Sequence, residues 1–86
     1  MNGVLEGLLE KKVKNILGVF IKNKGELFHL QKISKESNVP ISSCFRLIKK
    51  LVGLGFITTI KIGKFKVYKL VENKKTKVLA TLLKNG

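Results

Sequence analysis

The chain of 86 residues holds one cysteine, one histidine, one proline, one arginine and five acidic residues. Each scarcity excludes something. A lone cysteine, Cys44, rules out an internal disulfide. Cys44 with a lone His29 does not make a metal site. Five acids, one His and one Cys give neither paired carboxylates nor a nucleophilic triad. No glycine-rich phosphate loop is present. The expectation is therefore a protein that is not an enzyme and that carries no cofactor or metal. No apolar run reaches the ~20 residues that span a bilayer. The N-terminus lacks a basic region followed by a continuous apolar stretch, so no signal peptide is expected. The expected location is the cytoplasm, in association with the nucleoid and without a membrane partner.

What the chain does have is positive charge. Lysine plus arginine number 18 against 5 acids, a net charge of +13. From Lys61 onward there are eight lysines and one acid, Glu72. Such a field attracts polyanions. Seventeen lysines to one arginine also reflects a general lysine bias, which blunts the inference. Apolar content of 44% is enough for a globular fold and too high for a disordered tail.

The stretch from Leu30 to Leu54 organises the rest. It reads as two short amphipathic segments around a break at Asn38-Val39-Pro40. In the first, Leu30 and Ile33 are the apolar contacts. In the second, Cys44, Leu47, Ile48, Leu51 and Leu54 recur at three- and four-residue spacing and share one helix face. Ser42, Ser43, Arg46, Lys49 and Lys50 fall on the other side. This is the layout of a helix-turn-helix, with the second helix expected over residues 41–54. Gly55 is a plausible left-handed stop after it. A strand-like run from Phe56 to Ile62 follows, then Gly63-Lys64 as a two-residue turn. Glycine in the first turn position suits a type II′ hairpin. The second strand is expected over Phe65 to Val71.

Helix, turn, helix and hairpin together resemble the small winged helix-turn-helix transcription regulators of the ArsR/MarR-like type found in bacteria and archaea. The segments that carry the resemblance are KKVKNIL, HLQKIS, ISSCFRLIKKLVGLGFI and FKVYKL, from about Lys11 to Leu70. The fold it implies is α+β, mainly α: a three-helix core, a β-hairpin wing over residues 56–71 and a C-terminal helix. It also implies a small third strand over residues 26–29, with Leu27 or Phe28 as its core contact. Double-stranded DNA is the partner it implies.

Within that frame the DNA-contacting residues can be named. Gln31 and Lys32 sit in the first turn of the first motif helix, placed for phosphate contact. Ser42 and Ser43 open the recognition helix. They either approach the duplex or satisfy free amides at the helix start. Arg46 lies one turn in, where a guanidinium can grip guanine O6 and N7; the plainer role is a phosphate contact. Phe45 stands where polar residues are usual, and either meets a thymine methyl or packs under the wing. Lys49 and Lys50 are expected on the backbone. Lys61, Lys64 and Lys66 ring the wing tip, suited to phosphates or the minor groove.

Three features stay open in the sequence. Cys44 reads as a small buried hydrophobe, with a redox role requiring exposure and a lowered pKa. His29 packs or caps at the mouth of the first motif helix. In the hairpin register, Ile57, Tyr68 and Leu70 share a core face, which leaves Ile60, Ile62, Phe65 and Val67 on a second face. That face is unusually apolar for a wing, and the C-terminal helix or a partner is expected to cover it.

The ends suggest assembly. The first helix, about 4–23, shows an apolar stripe of Leu5, Leu8, Leu9, Val13, Ile16, Leu17, Phe20 and Ile21. At 1.5 Å per residue it spans ~30 Å, more than a three-helix core of this size needs. The last, about 73–84, carries Val78, Leu79, Leu82 and Leu83 behind Asn73 as a candidate N-cap. Both ends are expected to build a homodimer, against the plainer outcome in which they fray or fold back. The functional expectation is a single domain, 1–86, acting as a sequence-specific DNA-binding regulator. The alternatives are a non-specific architectural DNA-binding protein and a winged-helix protein-interaction module.

Overall fold

The structure, a computed structural model, describes residues 3–23 and 25–85, with side chains described over 11–23 and 25–81. Four helices and one hairpin follow in the order α1 (Gly3–Lys22), α2 (Leu30–Ser37), α3 (Ile41–Gly53), β1 (Ile57–Ile62), β2 (Phe65–Leu70) and α4 (Lys74–Asn85). This is the winged helix-turn-helix expected from the sequence.

The core forms where the apolar stripes of α1, α2 and α3 meet the inner face of the hairpin. Ile16, Leu17, Val19 and Phe20 come from α1, Ile33 from α2, and Cys44, Ile48 and Leu51 from α3; Ile57, Tyr68 and Leu70 come from the hairpin. Phe20 meets Phe28 edge to face, with ring centroids 5.3 Å apart and planes at 77°. That geometry places the positive edge of one ring on the negative face of the other. The side chains of Leu5, Leu8, Leu9, Leu82 and Leu83 lie outside the described residues.

The tight turn of the motif is held by local hydrogen bonds. Asn38 adopts the left-handed conformation at φ 60° and closes α2. The Ser34 hydroxyl donates to the Val39 carbonyl at 2.6 Å, and the buried Ser37 hydroxyl donates back to Ile33 at 2.6 Å. Val39 is thereby pinned into the core, and α3 starts at a fixed angle to α2.

The hairpin pairs Ile57 with Leu70, Thr59 with Tyr68, Ile60 with Val67 and Ile62 with Phe65, in the register expected. Gly63 has φ 61° while Lys64 keeps a negative φ. A type II′ turn requires that combination, because a type I′ turn needs positive φ at both positions. An isolated bridge joins Phe28 to Tyr68, with reciprocal backbone bonds of 2.9 and 2.8 Å. Phe28 is the inward residue of this short strand, and Leu27 is 44% exposed.

Two readings of the sequence change. Leu54 is 51% exposed rather than in the core: α3 ends at Gly53, Leu54 follows as its C-cap, and the left-handed Gly55 then turns the chain away. The outer wing face is also less uniform than expected. Val67 is buried at the centre of the sheet, where the register sets Ile60 on one side and His29 on the other.

α4 begins with a reciprocal cap. The Thr76 N–H donates to Asn73 Oδ1 at 2.9 Å, and the Asn73 N–H donates to Thr76 Oγ1 at 2.9 Å. Two free donors at the helix start are satisfied by each other's residue, as in a capping box. Asn73 Nδ2 also reaches the Gly55 carbonyl at 3.4 Å, tying α4 to the end of α3. Replacing Asn73 with Ala is expected to cost about 1 kcal/mol. Chemical denaturation checks this; an unchanged midpoint would mean the cap contributes nothing.

Candidate nucleic-acid interface

From Asn38 to Val71 the chain has no acidic residue. That segment contains α3 and the wing. Helical spacing puts Ser42, Phe45, Arg46, Lys49 and Lys50 on the face of α3 opposite Cys44, Ile48 and Leu51, and those five are exposed; Ser43 is half-buried. The buried trio anchors the helix, so the outward face is presented by a rigid element.

The wing stands beside this face. Thr59 pairs with Tyr68, and Lys61 pairs with Lys66, so these four share the side of the hairpin that turns toward α3. Phe45, Lys49, Val52, Thr59, Lys66 and Tyr68 together line a cleft of about 250 Å³ between α3 and the wing. Lys49 Nζ sits 5.4 Å from the centre of the Phe45 ring. Phe45 is 40% exposed, so it walls the cleft instead of packing fully beneath the wing. Lys61 and Lys64 are exposed farther out on the hairpin.

At α2 the picture is mixed. Gln31 is exposed in the first turn. Lys32 has neighbours of its own: Glu36 at 3.8 Å and the Phe28 ring at 5.4 Å. An exposed pair of this kind contributes little, so it leaves Lys32 available to a phosphate. Neither α2 nor α3 has a side-chain cap or an acid in its first turn. The positive ends of both helices therefore carry no internal counter-charge.

His29 packs rather than caps. It occupies the N-cap position of α2 without a capping bond, and its ring meets Phe65 edge to face at 6.0 Å. Cys44 is fully buried, and burial pushes its thiol up to about 11. A thiol held neutral and out of solvent is a packing residue. Burial, and then the neighbouring Cys44, raise the Tyr68 phenol as well.

Among the described residues, no group of three His, Cys, Asp or Glu side chains comes together to hold a metal ion. No helix among them is long and apolar enough to cross a membrane. Three cleft residues lie outside the contact set expected from the sequence: Thr59, Val52 and Tyr68, the last read there only as core. Thr59 was legible, since the register alone puts it beside Tyr68; Val52 was not, because its neighbour lies across the fold.

Comparison with known proteins agrees with this geometry. Residues 11–60 match the IclR helix-turn-helix domain. No curated protein matches the sequence. Among solved structures, the chain is similar to a MarR family transcriptional regulator from Silicibacter pomeroyi, with a TM-score of 0.68 at 17% identity. The match covers 87% of this chain and 52% of that one, so this chain spans about half the length of that regulator.

Proposed function

The chain belongs to the IclR helix-turn-helix domain family of DNA-binding regulators, and from that premise we propose that it is a sequence-specific regulator of transcription that binds double-stranded DNA. In this reading α3 enters the major groove and the wing holds the backbone or the adjacent minor groove. One observation carries it: the outward face of α3 and the inner face of the wing meet in a cleft around Phe45, Lys49 and Lys66, within a segment free of acids that also exposes Arg46. Association with the chromosome follows from such a partner.

The division of labour has a direct test. Arg46 projects from the first half of α3, where residues of this motif meet base edges. Lys64 sits in the wing turn, where contact is mostly electrostatic. Arg46→Ala is expected to cost about 1–3 kcal/mol on a preferred site and much less on scrambled DNA. Lys64→Ala is expected to weaken both duplexes alike and to reduce the salt slope by about one contact per subunit. Titrations of both variants against both duplexes decide between reading and holding. Equal losses for Arg46→Ala on the two duplexes would make Arg46 a phosphate clamp and favour the architectural alternative.

We further propose that the whole chain is one such domain and that it dimerises through α1 and α4. Support comes from α4, where Val78 is 59% exposed and lines an apolar groove of about 450 Å³ with Phe56, Leu79, Lys74 and Lys75. Thr76 is buried and Leu79 packs on the core, so α4 also folds back on its own subunit. In the dimer the two recognition helices lie about 34 Å apart, one DNA turn. Light scattering at tens of micromolar is expected to give the mass of two chains; a monomer contradicts the dimer.

A further inference from the structure

The wing tip holds two side chains that a purely electrostatic role leaves unexplained. Ile62 is 52% exposed and Phe65 is 65% exposed. They pair directly across the hairpin, immediately before and after Gly63-Lys64. Lys61, Lys64 and Lys66 surround them. Phosphates need only the lysines, and polar residues in place of Ile62 and Phe65 would keep apolar surface out of water.

We propose that Ile62 and Phe65 form an apolar wedge that enters the minor groove between two base pairs, so that the protein selects duplexes easily unstacked at that step and leaves them bent. The proposal rests on the DNA-binding reading above and deepens it, by naming the class of duplex the wing accepts.

Dimensions favour it. Val67 is the first buried residue of β2 after the turn. The three to four residues from there to the apex extend ~10–13 Å at the rise of a strand. A minor groove is ~7.5 Å deep, so the tip can reach its floor. The groove is only ~6 Å wide, whereas paired strands are ~4.8 Å apart before their side chains are added. The hairpin tip therefore fits only a groove that opens. Apolar side chains inserted at a base step unstack it and kink the duplex toward the major groove.

The wedge is also supported from behind. The His29 ring abuts Phe65 at 6.0 Å and 84°. Ile60 and Val67 continue the same face inward. On its opposite face the wing shares a cleft with Lys49 and Phe45 of α3, so the wedge flanks the tip on the side away from α3. A duplex engages both elements together, whereas a flat lipid surface has no use for the α3 face.

The test uses the full chain and two 30-base-pair duplexes labelled at both ends with a donor and an acceptor dye. One carries central TA and CA/TG steps, which unstack easily; the other carries a stiff A-tract. Binding is followed by anisotropy and bending by energy transfer between the ends. The wild-type chain is expected to raise transfer at saturation and to prefer the flexible duplex about tenfold. The Ile62→Ser/Phe65→Ser pair is expected to lose the bend and bind both duplexes with one affinity. Ile62→Leu/Phe65→Trp is expected to retain bend and preference, and circular dichroism confirms that both variants are folded. Saturation by the wild type without a change in transfer, or equal bending by the serine pair, overturns the wedge while leaving DNA binding in place. Failure to bind either duplex removes both. Capture by phosphatidylserine vesicles that the serine pair abolishes, in place of bending, assigns the tip to lipid and also overturns the proposal.

Discussion

Between 50 and 200 mM salt, affinity for a duplex is expected to fall about a thousandfold or more. The reasoning starts from the absence of acids between Asn38 and Val71. Arg46, Lys49, Lys50, Lys61, Lys64 and Lys66 are all exposed there. No acid in that segment competes with a phosphate for them. Each lysine that meets a phosphate releases condensed counterions, and log affinity then falls linearly with log salt. With roughly 6 or more contacts per dimer, the slope is about −5 or steeper. Anisotropy titrations at four or five salt concentrations measure it. A nearly flat response would mean that the lysines serve solubility, and the protein-interaction alternative would then gain.

Phe20→Ala is expected to lower unfolding stability by about 3–5 kcal/mol. Phe20 is 1% exposed, and its ring is the partner of Phe28. Its removal leaves a cavity under the short strand that holds β2, and it ends the edge-to-face contact. A domain of this size has a total stability of about 5–15 kcal/mol, so the loss takes a large share. Leu54→Ala is the contrast. Leu54 is 51% exposed beyond the end of α3, and its truncation should stay within about 0.5 kcal/mol. Urea denaturation of the two variants compares them directly. Equal effects would mean that the core is not where the burial pattern puts it.

That contrast also marks what the sequence reveals. Periodicity identifies the buried face of α3, because Cys44, Ile48 and Leu51 must coincide on any helix. It places the end of the helix to within a residue, with Gly55 left-handed at φ 86° as the stop, but it does not show how far the core covers that face, so Leu54 reads as a core residue when it is exposed. Turn chemistry fixes the hairpin, since one glycine followed by a lysine permits a single tight turn and hence a single register. The short segment over residues 26–29, which makes a single bridge, gives no comparable signal. Leu27 and Phe28 are equally apolar, and only the bridge to Tyr68 decides which faces inward. Val19 is absent from the expected stripe yet is 6% exposed, on the side of α1 that lies beside Glu36 and Ser37 of α2.

The site divides in the same way. The outward face of α3 is legible because it is the complement of the buried face. The cleft that joins Phe45 and Lys49 to Lys66 is a tertiary contact, and no spacing rule reaches it. His29 remains ambiguous in sequence for the same reason: the Phe65 ring that it meets is far away along the chain.

The central claim is that α3 and the wing together bind duplex DNA with sequence preference. Selection of bound sequences from a random duplex pool tests it most directly. The account predicts enrichment of a two-fold symmetric motif with half-sites about one helical turn apart, lost when Arg46 is replaced by Ala. Recovery of no duplex above background would contradict it.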